Sequence, residues 1–152
     1  MAIGEICSRE VVFTKRDATV KAAARLMREF HVGSVVVVDE SNGKRIPAGI
    51  LTDRDITVAV VALGLDPEVI EIGDVMSGEL IAVPEDTGIA EAVELMRLKG
   101  IRRVVVTDAG GDLVGIVAAD DMLSLLAEEM SALASMAGRE QKHEAALRKV
   151  TV

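Results

Sequence analysis

The sequence predicts an α+β fold: two copies of a β-α-β-β-α unit, packed about an approximate two-fold axis, followed by a C-terminal helix. Three observations lead there. First, the 152-residue chain repeats itself: a shift of 69 lays "IGEICSRE" (Ile3–Glu10) on "IGDVMSGE" (Ile72–Glu79), and 13 of 37 positions between Ile3 and Asp39 are identical in the second copy. Second, each copy alternates a helix-period segment with β-branched runs. Third, the valine runs are continuous rather than alternating, so both faces of each sheet should be covered.

Taken in order, each copy opens with a short apolar segment, Val11–Phe13 and Leu80–Val83. "DATV" and "DTGI" then read as helix starts. The helices, about Val20–Phe30 and Ile89–Lys99, carry small and apolar residues at i, i+3 and i+4: Ala23, Leu26, Met27 and Ala92, Leu95, Met96. With no second Cys or His beside them, these methionines read as core rather than soft-metal ligands.

Two strands follow in each copy, Val35–Val38 with Ala48–Leu51 and Val104–Val106 with Val114–Val117, joined by "DESNGKRIP" and "DAGGDL" as hairpins require. The first turn is three residues longer, so the register becomes 66 and Gly49 matches Gly115. A second helix then runs from Asp53 to about Leu63, stopped by Gly64 and Pro67, and in the second copy from Ala119 onward. A three-stranded sheet with two helices on one face leaves its other face apolar, and two copies can hide those faces against each other. The expected divisions are 3–66, 67–130 and a helical extension, 131–152.

Composition narrows the function. The net charge is −8, there is no Trp or Tyr, and Phe13 and Phe30 are the only aromatics. Neither a basic face nor a stacking platform for nucleic acid is expected. Cys7 is the single cysteine, which suits a reducing cytosol and reads as a small buried hydrophobe. "MAIGEICSRE" lacks a signal-peptide pattern, and the longest apolar runs fall far short of the ~20 residues that span a bilayer. The expectation is a soluble cytoplasmic protein.

The chemistry gathers where the strand of "GILTDRD" (Gly49–Asp55) ends. Thr52 and Asp55 lie three apart at a helix start, on one face of its first turn. An anion is favoured there, a hydroxyl can donate to phosphate, and a carboxylate can accept from a vicinal diol such as ribose. The same residues serve equally as an N-cap and first-turn acids. Spacing alone leaves both readings open.

The repeated unit ending in "GILTDRDI" resembles a tandem pair of CBS domains, named after cystathionine β-synthase, as a stand-alone protein. The hallmark is Gly, two apolar residues, Thr or Ser, any two, then Asp. "AAARLM", "AEAVELM" and "GIRRVVVTD" match further markers, and the resemblance covers about Ile3 to Met130. It implies a non-catalytic regulatory module binding AMP, ADP, ATP or another adenosyl ligand, such as S-adenosylmethionine, between the repeats.

By that resemblance, a first cleft joins Thr52 and Asp55 to Met76, Ser77, Ile81, Ile101, Arg102 and Arg103. Adenine would lie near Ile81, ribose on Asp55, and phosphates by Thr52 and the arginine pair. A second cleft would use Asp121, Ala118, Cys7, Ser8 and Val12. It departs from the pattern: Ala118 replaces the hydroxyl, Asp120 adjoins Asp121, and Gly33 and Ser34 stand where the first has arginines. One competent site and one weak, empty or phosphate-free site are expected. Val36 and Val105 also replace a frequent Pro, which should lengthen strand pairing.

No catalytic or metal motif is present: His31 and His143 stand in separate contexts, and no G-x-S-x-G, H-E-x-x-H or P-loop occurs. The rival to a nucleotide sensor is a structural module that binds partners. In the tail, Leu123, Leu126, Met130, Leu133 and Met136 recur at helical spacing, with a break expected near Gly138. Such a stripe needs a partner. The stripe can fold back on the chain's own repeats or meet a second copy; a homodimer with this helix in or near the interface is expected, a heterologous target being the alternative.

Overall fold

The computed structural model describes residues 1–149, so the last three residues of the expected extension lie outside the described residues. The chain divides into two units, Met1–Val117 and Ala118–Val152.

The first unit contains two three-stranded sheets. In the first, β1 (Phe13–Thr14) runs parallel to β2 (Ser34–Ser41), which pairs antiparallel with β3 (Lys44–Thr52). In the second, β4 (Ala82–Pro84) runs parallel to β5 (Arg103–Thr107), which neighbours β6 (Leu113–Ala118). The helices preceding β2 and β5 are α2 (Val20–Phe30) and α5 (Ile89–Lys99), with the expected bounds.

The central strands serve two cores because their side chains alternate between faces. Val35 and Val37 of β2 pack with Ala23 and Met27 of α2 and Leu51 of β3. Val36 and Val38 point the other way and cluster with Val105 and Leu113 of the second sheet. All four β2 valines are buried. The two sheets thus cover each other's free faces, the arrangement that continuous valine runs predict.

Two short helices escape the sequence reading: α1 (Ile3–Ile6) and α4 (Ile72–Val75). Each opens an arm that docks on the other repeat. Ile72 N–H donates to Ala18 C=O at 2.8 Å and Ile3 N–H to Thr87 C=O at 2.7 Å. Ile72 of the second copy is fully buried in the first copy's core beside Ala23 and Val37. The repeats are therefore cross-braced by exchanged arms.

Several elements differ from expectation. The β2–β3 hairpin runs on to Ser41 and Lys44, closed by Asn42 and Gly43, both at positive φ (50° and 75°). That two-residue Asn-Gly turn matches strand twist, so polar pairs extend the ladder. The helix after β3 is not regular: α3 (Asp53–Ile56) passes into a π-helical turn, Thr57–Val61, where Ala62 N–H bonds Thr57 C=O at 2.9 Å. At the second helix start the N-cap falls on Gly88, not on Thr87, whereas Thr19 caps α2 by accepting from Ala22 N–H at 3.2 Å. Cys7 is half-buried, its thiol directed at Gly4 C=O.

The second unit is one helix, α6 (Ala119–Lys149). It continues through Gly138 without the expected break. A single interior glycine costs about 1 kcal/mol relative to alanine, which a 31-residue helix absorbs. Among the described residues, no helix is long and apolar enough to cross a membrane.

Candidate functional site

The first unit's β3 ends at Thr52, and α3 begins at once. Thr52 has extended backbone angles (φ −105°, ψ 161°), as an N-cap requires. Its hydroxyl oxygen accepts from Asp55 N–H at 3.1 Å, and Asp55 Oδ2 accepts from Thr52 N–H at 2.9 Å. The capping reading of this pair is therefore present as a reciprocal box. It does not exhaust either side chain. The Thr52 hydroxyl still has a proton to donate, and Asp55 Oδ1 retains its lone pairs.

This pair lines a cavity of about 210 Å³ together with Ser77, Ile81, Ile101, Arg102 and Arg103. Seven of the eight residues predicted for the first cleft thus share one cavity. Met76 does not line it; its side chain packs partly buried against the first repeat's core. Ile50, Glu79, Leu80 and Val105 also line the cavity and were missed from the sequence. For Glu79 a signal existed: Ser8 and Glu10 recur unchanged as Ser77 and Glu79, and both glutamates line cavities.

The exchanged arm builds the cavity wall. Ser77 N–H donates to Ile50 C=O at 3.0 Å and Ile50 N–H to Ser77 C=O at 3.2 Å, pinning the second repeat's arm across the end of β3. Gly49 makes the crossing possible. A Cβ there would stand 2.8 Å from Ser77 C=O and from Met76 Sδ. Gly115 plays the same part for the other arm, where a Cβ would stand 3.0 Å from Ser8 C=O and 2.5 Å from Cys7 Sγ. The glycine of the G-x-x-T-x-x-D pattern is thus required by backbone approach.

Of the residues predicted for the second cleft, Ser8 and Val12 line a cavity of about 720 Å³ with Glu10, Phe13, Leu26 and Phe30. Cys7 is not in that lining. Ala118 and Asp121 belong to the second unit, where Asp121 Oδ2 accepts from Ala118 N–H at 2.8 Å. The carboxylate half of the cap survives there, but alanine cannot reciprocate. Among the described residues, no cluster of three or more His, Cys, Asp or Glu could hold a metal ion.

Two repeats of one α/β unit, cross-braced by exchanged arms around a cavity with a Thr–Asp pair and two arginines, define a paired-repeat module. The chain belongs to the CBS domain family, whose model matches residues 3–62 and 72–128. An uncharacterised protein of Methanopyrus kandleri is 41% identical over 125 residues, which is 82% of this chain and 62% of that relative's length. The CBS domain-containing protein YhcV of Bacillus subtilis is 32% identical over 121 residues, 80% of this chain and 82% of that one. Among solved structures, a CBS domain protein of Pyrobaculum aerophilum complexed with AMP superposes with a TM-score of 0.72 at 30% identity, covering 80% of this chain and 89% of that one.

Proposed function

We propose that this chain is a non-catalytic regulatory module that binds an adenine nucleotide in the cavity formed by Thr52, Asp55, the Ser77 arm and Arg102–Arg103. The observation that carries this reading is the reciprocal Thr52–Asp55 box lining one cavity with Arg102 and Arg103. Asp55 Oδ1 accepts from the ribose diol, the Thr52 hydroxyl donates to phosphate, and adenine lies against Ile81 and Ile101. The arginines neutralise phosphate charge. A 210 Å³ cavity is smaller than the ~300 Å³ lower bound of usual ligand clefts. The AMP-bound Pyrobaculum relative supports AMP; ADP, ATP and S-adenosylmethionine share the adenosine part and are the other candidates.

In the second cleft we infer a weak or phosphate-free site, since the cavity at Ser8 and Val12 offers Glu10 and apolar groups but no arginine. The protein works as a homodimer in a reducing cytoplasm. Exposed Val58, Val61 and Leu63 around the π turn, and Leu126, Met130 and Leu133 of α6, supply apolar surface for a second copy.

A structural module without nucleotide is the second reading, favoured by the capping box, which by itself accounts for both Thr52 and Asp55. Thermal melting separates the two. A ligand that binds only the folded state at 100 times its Kd stabilises by about 2.7 kcal/mol. A rise in Tm with AMP, ADP, ATP or S-adenosylmethionine supports the sensor; a dimer whose Tm moves with none of them supports the structural module.

A further inference from the structure

The charge pattern of α6 points to antiparallel pairing of this helix with α6 of a second copy. The inference rests on the homodimer reading and adds its orientation. Leu123, Leu126, Met130 and Leu133 follow three-four-three spacing, and all four are exposed; Leu126, Met130 and Leu133 stand at 56%, 69% and 65%. That is a coiled-coil seam without its partner. A helix with such a seam gains its stability by covering it. The family match ends at residue 128, so Met130 and Leu133 lie beyond the residues it covers.

Charge selects the occupant and its direction. The first half of the helix, 119–134, holds Asp120, Asp121, Glu128 and Glu129 and no Lys or Arg. The second half, 135–149, holds Arg139, Lys142, Arg148 and Lys149 against Glu140 and Glu144. The helix dipole favours acids first and bases last, but its influence fades within the terminal turn. Glu128, Glu129, Arg139 and Lys142 all lie beyond those turns. A parallel partner would set acid beside acid and base beside base along the seam. An antiparallel copy sets each acidic half beside a basic one and opposes the two dipoles.

Spin labels at Ser124→Cys and Gln141→Cys, in a Cys7→Ser background, test this in the full chain. Seventeen residues of helix span about 25 Å. Antiparallel pairing predicts a short distance only when a chain labelled at 124 is mixed with one labelled at 141, with longer distances in each variant alone. Short distances in each variant alone mean parallel pairing and overturn the orientation, leaving the dimer standing. Long distances in every sample, with a dimer by sedimentation, place the interface elsewhere and overturn it too. A monomer by sedimentation removes the dimer reading and this inference together.

Discussion

Ser77 and Ile50 exchange two backbone hydrogen bonds, at 3.0 and 3.2 Å, although they belong to different copies of the repeat. That bridge holds the second repeat's arm against the strand that ends in Thr52. The cavity therefore depends on a backbone crossing that only glycine at position 49 allows.

Gly49→Ala should consequently cost stability and ligand affinity together. Its Cβ would sit 2.8 Å from a backbone oxygen and a methionine sulfur, and such overpacking typically costs about 1–3 kcal/mol. Chemical denaturation and AMP titration of the same variant check it. An unchanged midpoint would mean the arm is not held where it lies.

His31 closes α2 in the left-handed region (φ 54°), at the position where Gly100 closes α5 with φ 64°. A non-glycine residue there bears about 1–2 kcal/mol of strain, partly offset by glycine's greater entropy when unfolded. His31→Gly should therefore stabilise by up to about 1 kcal/mol. Thermal denaturation reads the change.

The repeat made most of this fold legible, and the bounds of α2 and α5 follow from hydrophobic period together with the helix starts in "DATV" and "DTGI". The arms did not show because four-residue helices are too short for periodicity. Nothing local in "IGDVMSGE" says which copy it packs on. The hairpin was underestimated because its outer half is polar and exposed, although Asn42-Gly43 marked the turn. A π turn leaves no signature in apolar spacing, so Thr57–Val61 read as ordinary helix. At the site, Thr52, Asp55, Ser77 and the arginine pair are legible in a sequence pattern, whereas Met76 is not among the residues that line the cavity. Its neighbour Ser77 faces the cavity while Met76 itself turns to the core, as adjacent residues of an extended arm do.

If Thr52 and the arginines face phosphate, their loss should discriminate between AMP and adenosine. A hydrogen bond to a charged group contributes about 1.5–3 kcal/mol. Thr52→Val and Arg103→Ala should each weaken AMP by about tenfold or more and leave adenosine nearly unchanged. Thr52→Ser should retain both. Equal losses for the two ligands would remove phosphate from this end of the cavity.

Arg16 donates from Nε and Nη to the two carboxylate oxygens of Asp39 at 2.8 and 2.9 Å. Those hydrogen bonds hold the Asp39 carboxyl below the usual carboxylate range. A lowered folded value means the pair's contribution is present above the unfolded value of about 3.9 and is lost as pH falls through the folded one. Arg16→Ala should shift the Asp39 titration upward, read by NMR. Its effect on Tm should shrink toward acid pH and in high salt, since the pair is half-exposed.

Calorimetric titration of AMP into the wild type, Asp55→Ala and Asp121→Ala tests the central claim most directly. Each substitution removes one carboxylate acceptor from the start of a helix, so Asp121→Ala serves as the control for loss of such a cap. The account predicts one dominant site per chain, abolished by Asp55→Ala and preserved by Asp121→Ala. Undiminished AMP binding by Asp55→Ala, or two equal sites lost only when both aspartates are replaced, would contradict it.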